Sequence, residues 1–224
     1  MKSAKGGENF FLHALPPTTR AAFQEAQKSR FFKTGGWYLA GGTALTLQVG
    51  HRQSVDLDFF TQNAGFDEVA TERALLAGGD WSTGFAESAT IYGKFHGAKL
   101  SLIAYPFFVP AKPFIPCGTI RVLQESDIAV MKIIAMSQRG RKRDFIDLYW
   151  YAQNREPLAA VIRRVPKQYP GQEHNIPHFI KSLAYFDDAE SDPMPKIFFD
   201  ASWSGIKRFF RKEAKAIAEE ILLS

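Results

Sequence analysis

Hydrophobic and polar positions follow two different periods along this chain, and the change comes near residue 125. Up to that point, short apolar runs bounded by glycine, proline and polar residues predict β-strands at 37–40, 55–60, 89–92, 99–105 and 120–123. Helical spacing between the strands predicts α-helices at 18–33, 44–49 and 66–77. Four prolines between residues 106 and 116 predict irregular structure there.

After Ser126, which can cap the next helix, helical spacing dominates the pattern. It predicts helices at 127–138, 142–153, 157–165, 177–186 and 203–223. The whole pattern therefore predicts an α+β fold. A small mixed sheet with helices on one face occupies residues 1–125, and a mostly helical part follows in 126–224.

Two carboxylates stand on the predicted strand Val55-Asp56-Leu57-Asp58-Phe59-Phe60. Side chains alternate along a strand, so Asp56 and Asp58 point to one side, about 6–7 Å apart. Acids this close repel each other, and a divalent cation with a preference for oxygen ligands, Mg²⁺ or Mn²⁺, removes the repulsion. The alternative is an edge strand with two solvated acids, because a bare Asp-x-Asp pattern is common.

A glycine turn precedes the acid strand. Gly41-Gly42-Thr43 lies between a predicted strand and a predicted helix that Thr43 can cap. Glycine lets the backbone approach a phosphate, and helix N–H groups with the Thr43 hydroxyl can hold its oxygens. A plain turn with a capping threonine is the alternative. A strand, this turn, a short helix and a returning acid strand would together place phosphates beside the metal.

Lys132 is the single charge in the middle of an otherwise apolar helix, so it must reach solvent, find an acid or face an anion. Asp144 and Asp147 stand three residues apart on the next helix and share a face. They can complement the helix dipole, as acids near a helix N-terminus do, or pair with Arg141 or Arg143.

These segments resemble a known family. Gly41-Gly42-Thr43-Ala44-Leu45 with Gly50-His51-Arg52-Gln53-Ser54-Val55-Asp56-Leu57-Asp58, and then Lys132-x-x-Ala135, Arg139 and Arg143-Asp144-x-x-Asp147-Leu148-Tyr149, are similar to the AbiEii/AbiGii toxin nucleotidyltransferases. That group belongs to the DNA polymerase β-like superfamily. The resemblance spans about residues 37–151 and implies a nucleotidyltransferase-type fold in the first part of the chain.

The resemblance also implies a chemistry and a set of roles. Mg²⁺ or Mn²⁺ on Asp56 and Asp58 would activate a nucleoside triphosphate, with Lys132 near its phosphates and Asp144 completing the catalytic set. The matched positions imply substrate binding by the following residues: Gly41, Gly42, Thr43, His51, Arg52, Ser54 and Arg139. His51 and Arg52 can instead hold their loop by hydrogen bonds. The implied partners are an antitoxin and an acceptor, either RNA such as a tRNA 3′ end or a protein hydroxyl.

One position departs from the superfamily pattern, which carries a third carboxylate on a later strand. On the predicted strand 99–105 that position holds Ser101. Three outcomes stay open: Asp144 replaces the acid in space, the metal binds weakly, or catalysis has been lost. The last would leave a degenerate nucleotide- or RNA-binding protein of the same fold.

Charge and composition add little to this picture. The net charge of +5 suits a polyanionic partner and equally suits an ordinary basic surface. The basic loop 139–143 and the lysines and arginines of the last helix can grip RNA or be solvated helix ends. A single cysteine, Cys117, the lack of a signal-peptide pattern and the lack of a membrane-length apolar run predict a cytoplasmic protein with no membrane partner.

Overall fold

A computed structural model describes residues 10–222 of the chain, which divides into two compact units with the boundary between Glu125 and Ser126. The first unit holds a short 3₁₀ turn, Leu12–Ala14, four helices and all the described strands. Its helices are α1 Pro17–Ala26, α2 Arg30–Thr34, α3 Gly41–Val49 and α4 Glu68–Gly78. Its strands are β1 Tyr38–Ala40, β2 Leu57–Thr61, β3 Trp81–Glu87, β4 Thr90–Phe95, β5 Ala98–Ala104, β6 Ile115–Cys117 and β7 Ile120–Val122.

The seven strands form one sheet in the order β3-β4-β5-β2-β1-β7-β6. The β2–β5 and β1–β7 pairs are parallel, and the other four pairs are antiparallel. The sheet is therefore mixed, as the sequence predicts. Strand β2 lies inside it, where Asp58 is paired with Ala40 of β1 on one side and Ser101 of β5 on the other.

Alternation along β2 separates the buried apolar side chains from the face that carries Asp58. Leu57 and Phe59 are fully buried, and Phe59 stacks on Phe32 of α2 with ring centroids 4.2 Å apart. Asp58 and Phe60, on the other face, keep part of their surface exposed. Burial of the apolar residues thus fixes the register and turns Asp58 away from this core.

The helical unit contains α5 Glu125–Arg139, α6 Lys142–Asn154, α7 Leu158–Gln168, α8 Ile176–Leu183, α9 Asp187–Glu190 and α10 Trp203–Leu222. Helix α10 packs against α6, α7 and α8. Phe145 of α6 lies at the centre of this core, with ring centroids 5.0 Å from Phe186 and 5.2 Å from Phe210. No helix of residues 10–222 is long and apolar enough to cross a membrane.

Several element boundaries differ from the sequence predictions. The helix predicted at 18–33 is two helices, because residues 27–29 form a turn between α1 and α2. Strand β2 begins at Leu57, so Asp56 precedes it, and Val55 is 50% exposed. Helix α5 already includes Ser126, which therefore lies in the first turn and does not cap it.

Strand β6 was not predicted, because Pro116 lies in its middle. Proline cannot donate a hydrogen bond to a neighbouring strand, and it is tolerated where one side of a strand has no partner. Strand β6 is the last strand of the sheet and pairs only with β7, with Pro116 opposite Arg121. At the sheet edge, Pro116 therefore costs no hydrogen bond to a second neighbouring strand.

Candidate active site

The carboxylate of Asp58 is held between a serine and a glycine. Its Oδ1 accepts a hydrogen bond from the Ser101 hydroxyl on the neighbouring parallel strand. Its Oδ2 faces Gly41, where an added Cβ atom would lie only 2.9 Å from this oxygen. Asp58 therefore lies directly against the glycine turn, as the strand–turn–helix–strand pattern predicts.

Both glycines of the turn are required by close approaches. Gly41 has φ +67°, a left-handed conformation that side chains other than glycine rarely adopt. A Cβ atom on Gly42 would lie 2.2 Å from Nη2 of Arg52, so the guanidinium occupies that space. Helix α3 begins at Gly41, and its N-cap residue, Ala40, makes no side-chain cap. The start of this helix therefore has the geometry that favours an anion.

Thr43 does not cap the helix as predicted. Because α3 begins at Gly41, Thr43 lies inside the first turn, and only 1% of its surface is exposed. Its hydroxyl is hydrogen bonded to the backbone carbonyl of Asp56 and, at 2.8 Å, to the Ser54 hydroxyl. Thr43 thus ties the segment before β2 to the helix, which makes it a residue that positions the acids.

His51 and Arg52 are almost completely buried, with 2% and 3% of their surfaces exposed. The Arg52 guanidinium donates a hydrogen bond of 3.0 Å to the Gln53 carbonyl and lies against Gly42. The contacts of Arg52 agree with the loop-holding role. A contact of either side chain with a triphosphate stays a prediction.

Lys132 finds acids within the helical unit. Its Nζ lies 2.5 Å from Oδ1 of Asp144 and 2.9 Å from Oδ2 of Asp147, and all three side chains are buried. The second oxygen of Asp144 accepts a hydrogen bond of 3.2 Å from the backbone N–H of Arg141. A lysine that simply reaches solvent is therefore excluded. Asp147 is the second acid of this cluster, a contact with Lys132 that the sequence did not predict.

The basic loop 139–143 is largely committed to internal contacts. Arg139 is exposed, but Arg141 forms an ion pair of 2.9 Å with Asp192. Lys142 is buried, and its Nζ donates hydrogen bonds to the carbonyls of Glu190 and Asp192. Lys142 therefore stabilises the helical unit, and RNA binding by the loop stays a prediction.

The oxygen donors of Asp56 and Asp58 suit Mg²⁺, which one or two carboxylates, substrate phosphates and water can hold together. Across residues 10–222, no group of three or more His, Cys, Asp or Glu side chains is arranged to hold a metal. The expected position of the third acid holds Ser101, directly beside Asp58. If these two acids hold Mg²⁺, water and substrate must therefore supply its other ligands.

Cys117 has no features of a nucleophile. It is 3% exposed, and burial raises the pKa of its thiol, although a hydrogen bond from Gln27 Nε2 partly opposes the change. A thiol with a raised pKa stays protonated at neutral pH, and the thiolate is the reactive form. Cys117 is therefore a packing residue.

A mixed sheet with an acid beside a glycine turn, followed by a helical unit, is the arrangement expected of the nucleotidyltransferase class. The chain belongs to the AbiEii family, because residues 25–220 match the model described as nucleotidyl transferase AbiEii toxin, type IV TA system. The resemblance found in the sequence is thereby confirmed. An uncharacterized protein of Aquifex aeolicus (strain VF5) is 33% identical over 189 residues, which cover 82% of this chain and 88% of that protein.

Two solved structures share the fold. MenT4, a nucleotidyltransferase toxin of Mycobacterium tuberculosis H37Rv, matches with a TM-score of 0.56 and 14% identity, over 91% of this chain and 86% of its own. A protein of H. pylori, provisionally assigned as a nucleotidyltransferase, matches with a TM-score of 0.54 and 14% identity, over 92% and 97%. The predicted fold class is confirmed.

Proposed function

We propose that the chain transfers a nucleoside monophosphate from a nucleoside triphosphate to an acceptor hydroxyl, with pyrophosphate as the second product. The family and the fold support nucleotidyl transfer in general. The observation that carries the specific proposal is the position of Asp58, whose carboxylate is hydrogen bonded to Ser101 and lies against Gly41 at the start of α3. The acid therefore lies beside the turn that we propose for phosphate binding.

Asp56 and Asp58 are the residues that would hold Mg²⁺ or Mn²⁺. The cation would neutralise charge on the triphosphate and stabilise in-line displacement at its α-phosphorus. The phosphate tail would lie at Gly41 and Gly42, where the first N–H groups of α3 can donate hydrogen bonds to its oxygens. Thr43 and Ser54 keep the segment that carries Asp56 next to the helix, as their hydrogen bonds indicate.

Lys132 and Asp144 are the proposed catalytic residues of the helical unit. Lys132 would offset negative charge that develops during transfer, and Asp144 would accept the proton of the attacking hydroxyl. The ion pair of Lys132 with Asp144 and Asp147 supports an ammonium held in one orientation. We also propose that Arg139, which is exposed at the end of α5, contacts the substrate.

The acceptor and the partner follow from the family. We propose RNA, such as a tRNA, or a protein hydroxyl as the acceptor, and an antitoxin as the cellular partner. The support is the description of the family as a toxin of type IV toxin–antitoxin systems. The proposal places the protein in the cytoplasm.

A panel of the four ribonucleoside triphosphates, each with and without Mg²⁺, tests the proposal by calorimetry. Wild-type protein is expected to bind at least one triphosphate in the presence of Mg²⁺, and Asp58→Ala is expected to lose this binding while its circular dichroism is unchanged. Asp80→Ala, an exposed acid outside the proposed site, is the matched control. Equal binding by wild type and Asp58→Ala would contradict the metal assignment.

A binding protein without chemistry is the second candidate, and Ser101 in the place of the third acid favours it. The two candidates differ in a transfer assay with labelled triphosphate, Mg²⁺ and total RNA or total protein. Triphosphate binding with labelled product supports the enzyme. Triphosphate binding without label transfer to either acceptor supports the degenerate protein.

A further inference from the structure

An exposed pair of aromatic rings stands on the hairpin formed by β3 and β4. Phe85 and Tyr92 are directly opposite in the strand pairing, with ring centroids 5.9 Å apart and planes inclined by 34°. Each residue is 47% exposed. Large aromatic side chains bury most of their surface when they serve only the core, so this pair is available to a ligand.

The aromatic pair lies on the same face of the sheet as Asp58. Directly paired residues on neighbouring strands point to the same face, and the pairing runs from Phe85 to Tyr92, from Tyr92 to Ser101 and from Ser101 to Asp58. Neighbouring strands lie about 4.8 Å apart, so Tyr92 is about 10 Å and Phe85 about 14 Å from Asp58 across the sheet. One continuous face therefore connects the rings to the acid.

Two lysines extend the same face. Lys94 and Lys99 are exposed and directly opposite each other on β4 and β5, two residues from Tyr92 and Ser101 respectively. Like charges in this position destabilise a sheet. Within residues 10–222, neither ammonium forms an ion pair or a hydrogen bond. A bound anion would remove the repulsion.

We propose that Phe85, Tyr92, Lys94 and Lys99, the hairpin platform, bind a single-stranded polynucleotide. Bases stack on the two rings, and backbone phosphates pair with the two ammonium groups, the combination used for single strands. Stacked nucleotides advance about 3.4 Å each, so about four of them span the distance from Phe85 to Asp58. The end of the strand would then reach the acid.

This inference rests on the proposed function only where it makes the bound strand the acceptor. Binding itself needs neither metal nor triphosphate, so it can be measured separately. A peptide partner fits less well, because the repeated negative charge of a polynucleotide matches the paired lysines, and its bases match the paired rings. A duplex hides the faces of its bases and cannot stack on the platform.

The test measures fluorescence anisotropy of labelled 12-nucleotide single strands, as RNA and as DNA, and of the corresponding duplexes. The full-length chain is used without triphosphate and without Mg²⁺. The ring variants are Phe85→Ala/Tyr92→Ala and Phe85→Leu/Tyr92→Leu, the second of which keeps apolar surface without a ring. Tyr185→Ala, which is 49% exposed in the helical unit, is the matched control.

Wild type is expected to bind single strands more tightly than duplexes, and both ring variants should lose at least tenfold in affinity, an effect of the size of one base–aromatic stack. Lys94→Gln/Lys99→Gln should lower the slope of log K against log salt by about 1.4, whereas Lys181→Gln, another exposed lysine, should not. The difference between RNA and DNA identifies the preferred strand. All variants should keep the circular dichroism and the Mg²⁺-dependent triphosphate binding of wild type.

The inference is overturned if the ring variants bind single strands like wild type, or if wild type prefers duplexes. Wild type that binds triphosphate and Mg²⁺ but no polynucleotide would also overturn it, and would leave the proposed function intact with a protein acceptor favoured. Polynucleotide binding without triphosphate binding would support the platform and contradict the proposed function.

Discussion

Ser101 supplies a hydroxyl where a third carboxylate would add negative charge beside Asp58. The hydroxyl donates to Oδ1 of Asp58, so it orients the acid without repelling it. A hydrogen bond to a charged group contributes about 1.5–3 kcal/mol, which is large enough to affect how the acid meets a cation. Ser101 is therefore the residue that bears most directly on the two candidate functions, an enzyme and a binding protein without chemistry.

We expect Ser101→Ala to weaken Mg²⁺-dependent triphosphate binding by about tenfold, because the Asp58 carboxylate loses its fixed orientation. Ser101→Asp should bind the metal more tightly than wild type and should be less stable without it, since three acids then repel each other. Calorimetry and thermal unfolding with and without Mg²⁺ measure both effects. Unchanged binding by Ser101→Ala would mean that the hydroxyl does not orient the acid.

Lys132 offers a second prediction at this scale. Its ammonium separates two buried carboxylates, and removal of one partner from a buried ion pair costs about 3–5 kcal/mol. Lys132→Met should therefore lower the free energy of unfolding in urea by about that amount. Lys181→Met, at an exposed position on α8, should change it little. A loss below about 1 kcal/mol would indicate that the cluster is not a tightly coupled ion pair.

Some residue roles follow from the sequence and others do not. Alternation along the strand predicts which way Asp58 points, and the family resemblance implies that Ser101 stands at the position of the third acid. The role of Thr43 could not be predicted, because its partners Ser54 and Asp56 reach it only after the loop folds back. Lys142 resembles a surface lysine in sequence, and only the tertiary structure brings the carbonyls of Glu190 and Asp192 to it.

At the scale of elements, the turn between β1 and α3 has the least tolerance for change. Gly41 has a left-handed φ of +67°, and a Cβ atom added there would lie 2.9 Å from Oδ2 of Asp58. Gly171 also has a left-handed φ of +76°, but a Cβ atom added there would have no other atom within 4 Å. A comparison of substitutions at the two glycines therefore distinguishes the effect of backbone strain from the effect of contact with Asp58.

Gly41→Ala and Gly171→Ala should each lose about 1–2 kcal/mol of stability from backbone strain. Gly41→Ala alone should also lose Mg²⁺-dependent triphosphate binding, because the new methyl group displaces the carboxylate of Asp58. Thermal unfolding and calorimetry on the two variants check this difference. Retained binding in Gly41→Ala would show that the approach of Gly41 to Asp58 is unimportant for the ligand.

Element existence follows from the sequence better than element boundaries do. The period of apolar residues predicts β1, β2, β5, β7 and the long helices, because each buries a regular face. It misses β6, whose proline is acceptable only at a sheet edge, and the turn at residues 27–29, where no glycine or proline marks the break. Edge position and helix breaks of this kind depend on tertiary neighbours.

At the scale of the whole molecule, the family membership makes a prediction about cells. The chain belongs to a family of toxins, so its expression without an antitoxin should arrest bacterial growth. If growth arrest requires the proposed chemistry, Asp58→Ala should abolish it, while Asp80→Ala should not. Growth curves after induction, with protein amounts checked by immunoblot, measure the effect. Growth arrest by Asp58→Ala at equal protein amounts would show that toxicity does not depend on Asp58.

The net charge of +5 does not identify a partner by itself, because its distribution matters more than its sum. Lys207 pairs with Glu190, and the Arg211 guanidinium lies over the Phe186 ring, so these cations of α10 serve the helical unit. Lys94 and Lys99 have no such partners within residues 10–222. The composition could not reveal this difference, since it depends on which lysines the fold brings to acids and rings.

The two oxygens of Asp58 have different neighbours, the Ser101 hydroxyl at Oδ1 and Gly41 at Oδ2. This asymmetry restricts rotation of the carboxylate about its Cβ–Cγ bond before any ligand arrives. The rotational entropy of the group is therefore lost during folding, and it need not be lost again when a cation binds. If Asp56 and Asp58 bind the cation as proposed, this fixed orientation of Asp58 would compensate in part for the attraction that a third acid would provide.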